Sequence, residues 1–369
     1  EMNNKMVQSS SVMFNDSLMS TDDALTLLFD SAIVSTQTEI SSLDSSIGRI
    51  LAKDIHSKIN VPGFDNSSMD GYTIALDENN TSMTNQSFDV VDRITAGSTG
   101  NELKRGNAAR IFTGAPIPPG ANTVVMQEEC QASDDGSQIT IKRAINLKEN
   151  IRPTGNDILK NDVILSAGKK IEPQDIALAA SVGIAELEVF KKLKAGVFFT
   201  GDELVEPGKP LTPGKIYNSN RYALVALLNK AGCDVINLGN IKDNLDSTCN
   251  ALERLSSECD LIITSGGVSV GEEDHVKPAV EKLGKLSLWR IKMKPGKPLA
   301  FGRVGDTAFI GLPGNPVSAM VTFLLFARPF IKKIQGASHY LNTTIKVEAN
   351  FDWHRSKPRR EFVRARLDH

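Results

Sequence analysis

Leu261-Ile262-Ile263-Thr264-Ser265-Gly266-Gly267-Val268-Ser269-Val270-Gly271-Glu272-Glu273-Asp274 is the stretch whose reading decides the fold. An apolar run closing on Thr264 reads as a buried strand. Three glycines follow directly, and they let backbone N–H groups approach a phosphate or a flat ring. Asp274 then stands near the start of a helix, as a ligand contact or as a plain cap. Outward from this point the pattern alternates. Strands are predicted at Ala195–Phe199, Asp234–Leu238, Leu286–Ile291, Leu299–Arg303 and Ala308–Leu312. Helices are predicted at Arg221–Ala231, capped by Ser219 or Asn220, and at Asp246–Leu255, His275–Leu283 and Pro316–Gln335. Such alternation implies a largely parallel sheet with helices on both faces.

Ligands of an open parallel sheet bind beyond the carboxyl ends of its strands. Thr200-Gly201-Asp202-Glu203-Leu204 follows one such end, and carboxylates there can hold Mg²⁺. Glu203 is the functional acid in this reading and Asp202 the turn residue. Lys294-Pro295-Gly296-Lys297-Pro298 places two lysines on a stiff turn. Gly311-Leu312-Pro313-Gly314-Asn315-Pro316-Val317-Ser318 ends in a helix start, with Asn315 as cap and Pro316 in the first turn. A helix N-terminus beside lysines is a natural oxyanion site. H-E-x-x-H and the P-loop lysine are absent. What remains is acids, lysines and backbone donors, the equipment for Mg²⁺-assisted chemistry on an anion.

Length and composition bound the rest. The chain has 369 residues, enough for two or three domains, and a net charge of -2, which argues against nucleic acid as a partner. Its four cysteines, Cys130, Cys233, Cys249 and Cys259, have no metal-ligand spacing and fit a reducing compartment, so the cytoplasm is expected. No run reaches the roughly 18 apolar residues of a membrane helix. Thr21–Val34 reads as a helix that Thr21 can cap. From His56 to Asn150, short β-like runs alternate with Gly, Pro, Asn and Ser, as in a small all-β unit looped out of a helical domain. A helix follows at Pro173–Val182, and the last 27 residues, Thr343–His369, read as strand again. The β-rich stretch carries two further loops. Phe64-Asp65-Asn66-Ser67-Ser68-Met69-Asp70-Gly71-Tyr72 sets two acids around a turn, and Thr113-Gly114-Ala115-Pro116-Ile117-Pro118-Pro119-Gly120 is a sharply bent loop headed by a hydroxyl.

Together with Asn150-Ile151-Arg152, Gly155 and Asp157, these strings occur in an order that resembles the MoeA family, the molybdopterin molybdenumtransferases, also seen as the E domain of gephyrin. The resemblance implies a multi-domain α/β and β protein. A discontinuous, elongated helical and β linker domain would span 20–55 and 151–190, and a β-rich inserted lobe 56–150. A MogA-like, mostly parallel α/β sandwich domain that binds molybdopterin would span 191–340. A short, truncated C-terminal β domain would span 341–369, which puts in doubt any role of Arg364 or Arg366 on the ligand. Ser68 and Asn156 depart from the family's usual residues.

The activity so implied is insertion of molybdate into adenylylated molybdopterin, with Mg²⁺ and release of AMP. The family's arrangement is a homodimer whose site joins the α/β domain of one chain to the lobe of the other. A molybdopterin adenylyltransferase would supply the intermediate. Carried onto matching positions, Asp70 and Thr113 act from the lobe. Glu203, Asp243 and Asp274 bind Mg²⁺ or drive AMP cleavage. Ser265, Gly266, Gly267, Ser269, Gly271, Pro313, Gly314, Asn315 and Ser318 cradle the ligand, and Arg290, Lys294 and Lys297 hold its charge. Three other readings compete: the adenylyltransferase itself, a gephyrin-like peptide-binding scaffold, and a generic nucleotide or sugar-phosphate enzyme.

Overall fold

The computed structural model describes residues 18–77, 79, 83–267, 274–353 and 358–366. The chain divides into two compact units. One comprises Glu1–Lys53, Ala167–Glu172 and Glu186–His369, the other Asp54–Ser166 and Pro173–Ala185.

The first unit is built on a six-stranded sheet. Its strands lie in the order Asp234–Asn240, Lys194–Phe199, Leu261–Ser265, Thr307–Leu312, Pro298–Val304 and Gly284–Arg290. The first four are mutually parallel, as the alternation predicted, but Pro298–Val304 runs antiparallel to both of its neighbours. Connection length explains the difference. Val304 pairs with Thr307 across Gly305-Asp306, and a two-residue link can join only antiparallel strands. The seven residues from Ile291 to Lys297 are likewise too few for a crossover.

Helices cover both faces. Side chains alternate along each strand, so Val197 and Phe199 face one core with Ile263, Ile310, Phe323, Phe326 and Phe330. Phe198 faces the other, with Ile262, Leu252, Leu255, Val280 and Phe309. The central strand Leu261–Ser265 is buried along its whole length.

Several element ends differ from expectation. Helix Ser219–Lys230 is capped by Asn218, whose side chain accepts from Arg221 N, rather than by Ser219 or Asn220. Helix Thr21–Asp30 is capped by Ser20, not Thr21, and stops four residues before Val34. The long helix predicted from Pro316 is three pieces: α-helix Pro316–Thr322, a π-turn Phe323–Ala327, and α-helix Arg328–Ile334. Pro329 has no N–H to donate one turn back, and the widened turn sits directly before it.

The C-terminal strands are the clearest correction. Ile345, Val347 and Phe351 alternate as a strand would, yet they are exposed and no strand forms there. Among the described residues of this stretch only Arg360–Glu361 pairs, in parallel with Met293–Lys294. An alternating segment needs a partner strand, and no described segment pairs with 343–351.

The second unit is β-rich, as read. Its six-stranded sheet runs Thr123–Met126, Gly71–Ile74, Asn107–Ile111, Gln86–Ile94, Gln138–Ile141 and Cys130–Ala132. Ile74, Phe88, Val125, Ile139 and Ile141 form one side of its core. Gly71 has to be glycine, because a Cβ there would lie 2.0 Å from the Val125 carbonyl oxygen. Helix Pro173–Ser181 belongs to this unit.

Candidate active site

Four loops gather at the carboxyl ends of the parallel strands of the first unit. After the central strand, Gly266 and Gly267 both take left-handed conformations, with φ of 88° and 67°. A Cβ on Gly267 would lie 2.6 Å from Val276 Cγ2 and 3.4 Å from both Asp274 Oδ1 and Thr200 Cγ2. Only a bare backbone fits there. Gly266 N donates to Leu312 O at 3.0 Å, and Ser265 Oγ to Pro313 O at 2.8 Å. The Ser-Gly-Gly loop is thereby fastened to the Leu-Pro-Gly-Asn loop. Ser269 and Gly271 lie outside the described residues.

Thr200 binds one of the acids directly. Its Oγ1 donates to Asp243 Oδ1 at 2.7 Å. The next residue, Gly201, lies under the Glu203 carboxylate: a Cβ on Gly201 would be 2.6 Å from Glu203 Oε2. The methyl of Thr200 borders Gly267, which in turn borders Asp274. Asp274 Oδ1 also accepts from Val276 N at 3.1 Å, so it supports the next helix as well. Thr200 thus binds Asp243 directly, while Asp274 borders the same glycine as its methyl and Glu203 lies over the adjacent Gly201. Asp202 is exposed, and its carbonyl accepts from Lys215 Nζ, the turn role expected of it.

Among the described residues no three His, Cys, Asp or Glu side chains form a metal cage. Mg²⁺ does not require one, since it is commonly held by one or two carboxylates, water and substrate phosphates. Carboxylates oriented by a hydroxyl beside a glycine loop fit that mode.

The basic loop lies against the body of the helix that Asn315 opens. Gly296 has φ of 99°, and a Cβ there would meet Thr322 Oγ1 at 2.7 Å and Ser318 O at 3.6 Å. The turn carrying Lys294 and Lys297 thus packs on helix Pro316–Thr322. Asn315 caps that helix as predicted, accepting from Val317 N at 3.0 Å and Ser318 N at 3.2 Å. Lys297 is exposed, while Lys294 reaches Glu361 at 3.8 Å. Arg290 is the last residue of its strand and is exposed.

The second unit holds Asp70 and Thr113 in direct contact. Thr113 donates both its N–H and its Oγ1 to Asp70 Oδ1, each at 2.8 Å. These two donors, backbone first, hold the Asp70 carboxyl below the usual aspartate range. Asp65 repeats the device with Thr154, at 2.7 Å and 2.8 Å, and is lowered for the same reason. The two acids of the Phe64–Tyr72 stretch therefore latch two different loops.

Sequence reasoning gave Thr200 no role of its own, passed over Asn218 and read Asn220 only as a possible cap. Asn218 Nδ2 donates to Asn240 Oδ1 at the end of a neighbouring strand. Asn220 Nδ2 donates to Ser265 Oγ at 2.8 Å and to Gly314 O at 2.7 Å. The available signal was arithmetic: a helix start needs one capping side chain, and two asparagines stand there.

Fold and site define an α/β domain that takes an anionic ligand on paired glycine loops, joined in one chain to a β-rich unit. The comparisons agree. Residues 196–333 match the family described as "Probable molybdopterin binding domain", and residues 19–183 match "MoeA N-terminal region (domain I and II)". A molybdopterin molybdenumtransferase of Haemophilus influenzae is 44% identical over 324 residues, 88% of this chain and 79% of that protein. One of Bacillus subtilis is 38% identical over 344 residues, 90% of this chain and 79% of that protein. A crystal structure of a molybdopterin biosynthesis MoeA protein from Pyrococcus horikosii superposes with a TM-score of 0.74 at 31% identity, covering 87% of this chain and 81% of that one. The chain belongs to the molybdopterin molybdenumtransferase family.

Proposed function

We propose that this transferase inserts molybdate into adenylylated molybdopterin, with AMP as the leaving product. The observation that carries the reading is the pair of left-handed glycines after the central strand, bordered by Asp274 and by Thr200, which binds Asp243. A pyrophosphate needs close backbone donors and charge compensation at the same place, and this strand edge offers both. The Ser265–Gly267 and Pro313–Asn315 loops cradle the ligand. Lys294, Lys297 and Arg290 attract the molybdate and phosphate charge. Glu203, Asp243 and Asp274 would hold Mg²⁺ or position the diphosphate bond for cleavage; the ion, when bound, would neutralise phosphate oxygens and ease departure of AMP.

The Asp70–Thr113 latch lies in the β-rich unit, and in this reading it acts on the site of a second copy, so the active species is a homodimer. The segment 20–55 with 151–190 is kept as the linker between lobe and α/β domain. The adenylylated intermediate comes from a molybdopterin adenylyltransferase. Among the described residues no helix is long and apolar enough to cross a membrane, and all four cysteines are free thiols. The thiols support a reducing cytoplasmic setting. The adenylyltransferase reading is weaker, because it gives the β-rich unit nothing to do.

The test is reconstitution of a molybdenum-dependent apoenzyme by this protein, adenylylated molybdopterin, molybdate and Mg²⁺. Activity should appear with all four and vanish with excess EDTA. Equal reconstitution without this protein would refute the reading.

A further inference from the structure

We infer that Asn220 is a positioning residue for the pterin-binding loops, a clasp that sets the spacing between the Ser-Gly-Gly loop and the Leu-Pro-Gly-Asn loop. The inference rests on the reading above that these loops hold the ligand. It begins with a residue that has no local duty. Asn218 already caps helix Ser219–Lys230, so the side chain of Asn220 is available for something else.

What it does follows from donor and acceptor counting. Ser265 spends its hydroxyl proton on Pro313 O at 2.8 Å, so its oxygen can only accept from Asn220. Gly314 O is an acceptor by nature. The amide must therefore present its NH₂ to both, at 2.8 Å and 2.7 Å, and its orientation is fixed. One side chain on the helix start thus ties together two strand-end loops that are about 50 residues apart in sequence. Those loops already touch at their glycines. A Cβ on Gly314 would lie 3.6 Å from the Gly266 Cα, and one on Gly266 would lie 3.9 Å from the Gly314 Cα. With no side chains to wedge the loops apart, their separation is set by hydrogen bonds, and Asn220 supplies two of them. Hydrogen bonds are short-ranged and directional, so losing this pair lets the loops drift by fractions of an ångström. Such drift weakens ligand binding before it disturbs the fold.

The experiment is steady-state kinetics on the full chain, with Asn220→Ala, Asn220→Asp, Asn220→Ser, Ser265→Ala and the double variant N220A/S265A. Asn220→Asp keeps the shape but sets a carboxylate against the Gly314 carbonyl, while Asn220→Ser keeps one donor. The clasp predicts that KM for adenylylated molybdopterin rises by about tenfold in the Ala and Asp variants, the worth of one to two hydrogen bonds. It predicts kcat within about threefold of wild type, and an intermediate KM for Asn220→Ser. N220A and S265A should be strongly non-additive in KM, because they remove parts of one network. An unchanged KM in both the Ala and Asp variants, or additive effects in the double variant, would overturn it. So would a fall in kcat that tracks a lowered melting temperature, since that marks a merely structural asparagine. If wild-type protein releases no AMP, the proposed function fails but the clasp remains testable. The same ratios are then read from equilibrium dialysis of molybdopterin against each variant, and equal affinity throughout would refute the clasp.

Discussion

Asp70 shows what one hydroxyl does to a neighbouring acid. Both donors of Thr113 fall on one carboxylate oxygen, leaving the other for a ligand or cation. Because the folded pKa is depressed, this contact adds stability at pH values above the unfolded pKa. That stability is lost as pH falls through the folded pKa. Thr113→Val keeps the backbone donor and removes the hydroxyl. We predict that the Asp70 carboxyl titrates higher in that variant, by NMR of its side-chain carbon. Its stability deficit relative to wild type should shrink as the solution is acidified. An unmoved Asp70 titration would show that the hydroxyl contributes nothing. At this scale the sequence marks Asp70, Glu203 and Asp274 as candidates at predicted turn, strand or helix ends, whereas Asp243 is only a loop acid until the family resemblance picks it out. Asn220 was not legible, because an asparagine at a helix start reads as a cap and nothing in the sequence shows that Asn218 has taken that place.

Elements succeed or fail by what they can pair with. Three of the four parallel strands were legible because a strand buried on both faces is a continuous apolar run, as at Leu261–Ser265; the edge strand Asp234–Asn240 is mostly part-exposed. The break in the last long helix was written in Pro329, but a proline in a long apolar pattern does not say whether the helix stops or widens. Within the strand expected over Thr343–His369, Ile345, Val347 and Phe351 have the right period but stay exposed and pair with no described segment. Two substitutions test the element-level account. Asn218→Ala removes a cap and a tie to Asn240 and should cost about 1–2 kcal/mol in urea unfolding. Gly296→Ala meets a positive φ and a 2.7 Å contact with Thr322 Oγ1. It should destabilise by roughly 1–3 kcal/mol and weaken ligand binding, since it lifts the lysine turn off helix Pro316–Thr322. A fully stable Gly296→Ala protein would mean that the turn is not held where it lies.

The whole molecule divides its chemistry between two units, with acids, glycines and lysines on one and the Asp70–Thr113 latch on the other. If two copies complete each other's sites, Asp70→Asn and Asp274→Asn variants are each inactive alone. After mixing and subunit exchange, mixed dimers keep one intact site, and activity should recover to about a quarter of wild type. No recovery from demonstrably mixed dimers would place both residues in one chain's site. The central claim is more direct: cleavage of the adenylylated pterin is coupled to metal insertion. Chromatography of one reaction, with purified protein, adenylylated molybdopterin, Mg²⁺ and molybdate, should show AMP and molybdenum-bound pterin forming in equal amounts. Omitting molybdate should suppress the metal-bound product. Disappearance of the adenylylated pterin with no molybdenum on the pterin, or no AMP at all, would contradict the account.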